Sequence, residues 1–195
     1  MQKSKSDIDR RKRRRRRRLQ VVVIYTAIAV GLAWFFELQA TTTVIFVRHA
    51  ERAAMPADDP GLREAGKSRA AELARQLVDA DVIAGVDAIY STSYRRTEET
   101  VKPVATALDL PINSYDPDNT ETIMDTIVRD HKGQIILVVG HSNTVPALIG
   151  NMGASKNVPD IAENEYDNIY IVSVPWFGKT KTIRLRYGAP YVSAE

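Results

Sequence analysis

No cysteine occurs among the 195 residues. That absence excludes a disulfide scaffold, cysteine-ligated zinc, iron–sulfur clusters and a thiol nucleophile. It does not fix a redox compartment, because a domain without thiols folds anywhere. Histidine is nearly as scarce, with three in the chain. No internal repeat and no interdomain linker interrupts it. With 44% apolar and 26% charged residues, the composition argues against global disorder and against a multi-span membrane protein. Excess positive charge is also missing from most of the chain, despite a formal net charge of +3. Residues 1–18 hold eleven of the 27 Lys/Arg and two of the 24 Asp/Glu, a net +9. The remainder therefore holds 16 basic and 22 acidic residues, a net −6. A mildly acidic domain is not expected to coat nucleic acid, so no nucleic-acid partner is expected.

What is present begins with a targeting device. Nine consecutive cations, Arg10 to Arg18, run directly into Leu19–Phe36, which carries no charge and has only Gln20 and Thr26 as plainly polar residues. Eighteen helical residues rise about 27 Å, nearly the thickness of a hydrocarbon core. Trp34 near the far end is of the type enriched at membrane interfaces. The cations are expected to stay cytoplasmic. That puts the rest of the chain across the membrane, which in a bacterium means a single-pass inner-membrane protein with a periplasmic domain. A retained signal anchor is favoured over a cleaved signal peptide, because the run exceeds the usual apolar region of such peptides. Leu38-Gln39-Ala40 is the cleavage site the second reading would use. A nuclear signal or nucleic-acid tail is disfavoured by the apolar span that follows at once. The expected organisation is a basic tail over 1–18, a transmembrane anchor over 19–38 and one domain over 41–195.

Beyond Thr41 the pattern alternates strand and helix. Thr43–Val47 is a short apolar run suited to a strand buried on both faces. Leu62, Ala65, Ala70, Leu73, Leu77 and Val78 recur at helical spacing. Val86–Tyr90 predicts the next strand, and Thr97–Leu108 a helix bent or interrupted at Pro103. A brief strand at Pro111–Tyr115 precedes a helix carrying Ile123, Met124, Ile127 and Val128, with Asp118 and Glu121 as its capping box. Ile135–Val139 is the most apolar run and predicts a central strand. Thr144–Ile149 begins a short helix, with Pro146 tolerated in its first turn. Ile169–Val174 and Thr180–Arg186 predict two late strands paired through the Pro175–Gly178 turn. The expected fold is α/β: a three-layer sandwich with a mostly parallel sheet and helices on both faces.

Ligands of open α/β sheets bind beyond the carboxyl ends of the strands, so the residues that follow each apolar run matter most. After Val47 comes Arg48-His49-Ala50-Glu51-Arg52, after Tyr90 comes Ser91-Thr92-Ser93-Tyr94-Arg95-Arg96-Thr97, and after Val139 comes Gly140-His141-Ser142-Asn143. Two of the three histidines thus sit at strand ends among arginines. Guanidinium groups match phosphate oxygens bidentately. A neutral imidazole can attack phosphorus to give a phosphohistidine that water then cleaves. The same pocket also suits phosphate binding without turnover. His131, in a helix-end stretch, reads as a solvated C-terminal residue. Tyr94 and Trp176 are candidates for shaping substrate access or for packing, and Glu165–Asn168 for lining the rim or for a solvated loop.

The motif Arg48-His49-Ala50-Glu51 resembles the Arg-His-Gly-Glu motif of the histidine phosphatase superfamily, also called phosphoglycerate mutase-like. Leu62-Arg63-Glu64-Ala65-Gly66 resembles that family's Leu-Thr-x-x-Gly, with Arg for Thr. Tyr90–Thr100 resembles its Ser-x-x-x-Arg-Ala-x-x-Thr segment, and Val139–Thr144 resembles its second histidine motif. The resemblance spans roughly residues 43–187. It implies that His49 is the phospho-accepting nucleophile and that His141 contacts the phosphoryl oxygens. It further implies that Arg48 and Arg96 bind phosphate, Arg95 being a surface residue, with Ser142 and Asn143 beside the substrate. Members need no metal, so no cofactor is expected. Ala50 in place of Gly is common in the family's small branches. Larger members carry an acidic proton donor in an insertion that this chain lacks. Asp116 and Glu51 are the candidates here, with Asp116, after the third strand, favoured and a turn residue as its plainer reading. Glu51 reads as an ion-pair or pocket-wall residue.

With the apolar span read as an anchor, the resemblance implies a membrane-anchored, metal-independent phosphatase acting on phosphomonoesters or phosphohistidine. Its expected partners are a phosphorylated small molecule, a lipopolysaccharide or a phosphoprotein. The lipopolysaccharide lead comes from a branch with a similar Arg-His-Ala-Glu-Arg stretch. The rival readings are a catalytically silent anchored phosphate-binding scaffold, a mutase-type phosphotransferase and a phosphatase facing the cytoplasm.

Overall fold

The computed structural model describes residues 5–38, 41–79, 85–154 and 157–192. Contacts divide the chain into two compact units, Met1–Gln39 and Ala40–Glu195. The first is one helix, α1 (Lys5–Leu38), in which the basic run continues into the apolar run without a break. Within it, Arg10–Phe36 is long and apolar enough to cross a membrane, its best window reaching a mean hydropathy of 2.1. The large apolar side chains from Leu19 to Phe36 are all exposed. The alternative cleavage point at Leu38-Gln39-Ala40 runs into residues outside those described.

The second unit is built on six strands: β1 (Thr41–Arg48), β2 (Ala88–Thr92), β3 (Ile112–Tyr115), β4 (Ile135–Gly140), β5 (Asn168–Pro175) and β6 (Lys181–Arg186). They lie in the order β3-β2-β4-β1-β5-β6. The first four are parallel, and β5 is antiparallel to both β1 and β6. The expected mostly parallel sheet and the central place of Ile135–Val139 are thus observed. Alternation along β1 decides which core each side chain joins. Val44 and Phe46 pack with α4 (Thr120–Asp130) and α5 (Thr144–Asn151) through Ile123, Met124, Ile127, Leu148 and Ile149. Ile45 and Val47 face the opposite way, toward α2 (Glu64–Asp79) and α3 (Arg95–Leu108), through Leu73, Val101 and Val104. Helices therefore cover both faces. Edge strand β6 leaves Ile183 and Leu185 exposed between Lys181, Arg184 and Arg186, charges that discourage pairing with another chain.

Several expectations are corrected. Leu62 precedes α2, in an isolated bridge with Arg52. The second strand starts at Ala88, because both the amide and the carboxylate of Asp87 are bonded to the backbone of Ile135. α3 runs through Pro103 uninterrupted. The N-cap of α4 is Asn119 and makes no side-chain capping bond. The Asp118–Glu121 capping box is therefore not formed; the Asp118 amide donates to Asp116 Oδ1 at 3.0 Å instead. His131 is half-buried, its ring held by the Tyr90 hydroxyl at 2.8 Å and Gln134 Oε1 at 2.6 Å, so it is not a solvated residue. Trp176 follows Pro175, which pairs with Thr41 at the start of β1. It stands at the opposite end of the sheet from the strand-end histidines and cannot shape access to them.

Candidate active site

The parallel neighbours β1 and β4 are followed by helices on opposite faces, α2 and α5 respectively. Such a switch opens a crevice at the carboxyl ends of the strands. Both motif histidines lie there. The His49 amide continues the ladder by donating to Gly140 O at 2.9 Å, and the ring centroids of His49 and His141 are 5.4 Å apart. Close approach demands glycine at 140, where a Cβ would stand 2.7 Å from Thr144 Oγ1 and 2.9 Å from the Tyr115 hydroxyl.

One ring nitrogen of His49 is committed to the main chain. Nδ1 lies 2.7 Å from Ala50 O. A carbonyl only accepts, so Nδ1 carries the hydrogen and Nε2 keeps its lone pair. Burial pushes the His49 pKa down to about 3, with Arg48, His141 and Arg96 acting the same way against the Ala50 hydrogen bond. His141 is pushed down to about 4, again by burial first and then by Arg96 and Arg48. Desolvation rather than the arginines is thus the main reason why both rings are neutral. His141 Nε2 lies 3.1 Å from Thr92 Oγ1, which meets Thr97 Oγ1 at 2.8 Å. This buried hydroxyl pair fixes the imidazole and leaves Nδ1 for a substrate oxygen.

The arginines reach the crevice in different ways. Arg48 Nη1 donates to Ala162 O at 2.6 Å and Glu165 O at 3.0 Å, and its guanidinium lies 4.3 Å from the Tyr166 ring centroid. Its Nε–H is buried with no partner among the described residues, a donor left for an anion. Arg96 stacks on Tyr94 at 4.4 Å and faces the pocket, whereas Arg95 turns away to Glu99 at 3.2 Å. Thr100 ties the two elements together, accepting from the Ala50 amide at 2.9 Å and donating to Arg96 O at 2.6 Å.

The resulting pocket, of about 350 Å³, is lined by Arg48, His49, Arg52, Arg96, His141, Ser142, Asn143 and Glu163. A larger apolar groove between α2 and α3, about 540 Å³, contains no histidine. Among the described residues no group of three or more His, Cys, Asp or Glu is gathered as a metal site.

A family model described as histidine phosphatase superfamily (branch 1) matches residues 44–117, which include Arg48-His49 and Arg96. Over those residues the domain is similar to the histidine phosphatase superfamily. Solved structures are similar to the domain in fold. A structure of the protein histidine phosphatase SixA complexed with tungstate matches with a TM-score of 0.60 at 18% identity, covering 74% of this chain and 96% of its own. A phosphoglycerate mutase from Plasmodium falciparum matches with a TM-score of 0.55 at 17% identity, covering 80% and 98%. A phosphoserine phosphatase from Entamoeba histolytica, in complex with 3-phosphoglyceric acid, matches at 0.55 and 13%, covering 76% and 97%. No curated protein matches by sequence.

The structure brings six of the seven expected site residues to one pocket: His49, His141, Arg48, Arg96, Ser142 and Asn143. Asp116 is not among them. It is exposed, with its carboxylate bonded to the Asp118 amide, which fits a turn residue. Glu51 is a buried ion-pair residue, bound by Arg69 Nε at 3.1 Å and Nη2 at 3.0 Å. Burial would raise its pKa, but the Arg69 bonds and backbone donors outweigh that and hold it below the ordinary value. Gly66 lets α2 approach this pair, since a Cβ there would stand 2.3 Å from Glu51 O.

Sequence reasoning missed Arg52, Glu163 and the Thr92–Thr97 pair. It also undervalued Glu165–Asn168. Glu165, Asp167 and Asn168 are buried, not solvated. Arg186 anchors the loop through Asp167 at 2.6 Å and Glu165 at 3.1 Å. The alternation of acids with Tyr166 immediately before a strand was the available signal.

Proposed function

We propose that the chain is a membrane-anchored phosphatase that hydrolyses phosphomonoesters or phosphohistidine through a covalent phosphohistidine on His49. The observation that carries this reading is the neutral His49 whose Nδ1 is pinned to Ala50 O, directing a free Nε2 into a pocket walled by Arg48 and Arg96. In the first step Nε2 attacks phosphorus. The arginines neutralise the equatorial oxygens, and His141 donates to one of them, taking up a proton with the substrate. Arg48, held from behind by two carbonyls, approaches already oriented, which reduces the cost of organising the transition state. Water then cleaves the nitrogen–phosphorus bond. Hydrolysis is favoured over a mutase reaction by the mouth of the pocket, where Arg52 and Glu163 are exposed and water has access. The phosphatase names of similar structures support the same class. A lipopolysaccharide, phosphoprotein or small phosphate ester would each meet the pocket first through its phosphate.

The anchor reading places α1 across the inner membrane with the Arg10–Arg18 flank in the cytoplasm and the domain in the periplasm. It rests on the apolar length of α1 and its flanking cations.

The test is acid-labile, base-stable ³²P labelling of the full chain in detergent, using a reactive phosphomonoester. Labelling of the wild type that disappears in His49→Ala is expected. Labelling that survives His49→Ala would refute the assignment, as would activity abolished by a chelator and restored by a divalent ion.

A further inference from the structure

Breaking an alkyl phosphate ester leaves an alkoxide, which needs a proton as it departs. Neither acid singled out from the sequence can supply it. Asp116 stands outside the pocket, and Glu51 is buried against Arg69. Only one carboxylate lines the pocket among the described residues, and it is Glu163.

The position of Glu163 suits the task. The phosphoryl group must lie against the buried His49, with attacking nitrogen and leaving oxygen roughly in line. The leaving oxygen then points away from His49, toward the mouth. Glu163 is there: its side chain is 91% exposed, and its Oε1 is 4.0 Å from Arg52 Nη2. The surrounding loop is not free. Ala162 O and Glu165 O, on either side, hold the Arg48 guanidinium, so the carboxylate is tied to the residue that grips the phosphate. Arg52 is also fixed, its backbone bridged to Leu62. A bound dianion would draw Arg52 from the carboxylate and leave Glu163 facing the leaving oxygen.

We propose that Glu163 is the proton donor to the leaving oxygen and then the base that activates water. This rests on the phosphatase reading of the same pocket. In the first half-reaction His49 Nε2 forms a bond to phosphorus, the ester P–O bond breaks with its electron pair on oxygen, and the Glu163 carboxyl gives that oxygen its proton, releasing an alcohol. In the second, a water oxygen bonds to phosphorus, the P–N bond breaks with its electrons returning to Nε2, and the Glu163 carboxylate takes the water proton, releasing inorganic phosphate.

The experiment compares full-length wild type, Glu163→Gln and Glu163→Asp in detergent on p-nitrophenyl phosphate, phenyl phosphate and a simple alkyl phosphate, leaving groups of rising basicity. The readout is kcat/KM, which reports the steps through alcohol release. Nitrophenolate leaves without a proton, so the loss in Glu163→Gln is expected to be smallest on that ester. On the alkyl ester this variant is expected to fall by about a hundredfold or more, the usual scale of general acid catalysis. Glu163→Asp, which keeps the acid, is expected to recover part of the loss. An equal loss across the series, or no loss on the alkyl ester, overturns the assignment. A wild type that neither releases phosphate from any ester nor labels on His49 overturns the phosphatase reading itself, a distinguishable result.

Discussion

Acidification should destabilise this domain before its carboxylates titrate. In the unfolded chain each histidine takes up a proton near pH 6.5. In the folded domain His49 does so only at about 3 and His141 at about 4. Both folded values are depressed, so the unfolded state binds more protons and stability falls as pH falls. The contribution is complete above pH 6.5, is lost progressively on the way down, and stops changing below the folded values. At pH 5 both folded rings are still neutral, so the size of the effect follows from the unfolded value alone. One and a half pH units at about 1.4 kcal/mol each give about 2 kcal/mol per histidine, or about 4 kcal/mol for the pair. Against a total of about 5–15 kcal/mol for a domain, that is a large share. The depressed carboxylates Glu51, Glu165 and Asp167 act at lower pH, because their unfolded counterparts are still mostly ionised at pH 5.

The assay is urea unfolding of residues 41–195, followed by circular dichroism at pH 8 and pH 5. The wild type is expected to lose about 4 kcal/mol more over this interval than a His49→Asn/His141→Asn double variant, which has no such protons to gain. Parallel losses would show that the histidines titrate alike in both states, and the depressed pKa of the two buried rings would have to be abandoned. By the same reasoning, ionisation of free His49 should not set an acid limb of kcat/KM near pH 6.5.

Two further outcomes follow from the arrangement of side chains and charges. Arg96→Ala should lower turnover at least about tenfold, the loss of a charge-assisted contact of about 1.5–3 kcal/mol, while Arg95→Ala, which removes only an exposed pair with Glu99, should change little; the opposite ranking in steady-state kinetics would refute the assignment. Alkaline phosphatase fused after Thr43 should be active in a Gram-negative host, and an inactive fusion paired with an active cytoplasmic reporter at the same point would reverse the topology.

The parts of the site legible in the sequence are those carried by contiguous residues at strand ends. Buried parallel strands read as apolar runs, and Arg48-His49 and Gly140-His141 follow directly on two of them. What stayed hidden is carried by contacts remote in sequence or by the main chain. Ala162 and Glu165 hold Arg48 across 114 and 117 residues with carbonyl oxygens, which every residue has. The burial of Asp167 depends on Arg186 and the Tyr191 amide, both beyond the next strand. Tyr166 was visible as an aromatic, but not as the floor beneath a guanidinium. That role makes a sharp expectation. Its ring lies 4.3 Å from Arg48 Cζ and 5.9 Å from the His49 ring, so it restrains the arginine on the side that the two carbonyls do not hold. Tyr166→Phe keeps the ring face and should match wild type. Tyr166→Leu keeps an apolar wall but loses the cation–π attraction, worth about 0.5–2 kcal/mol, and should lower kcat/KM for a phosphomonoester by about two- to thirtyfold. The half-buried, loop-borne position of Tyr166 should leave the urea midpoint of either variant nearly unchanged. If Leu and Phe perform alike, the ring face does not hold Arg48, and the carbonyls alone orient the guanidinium.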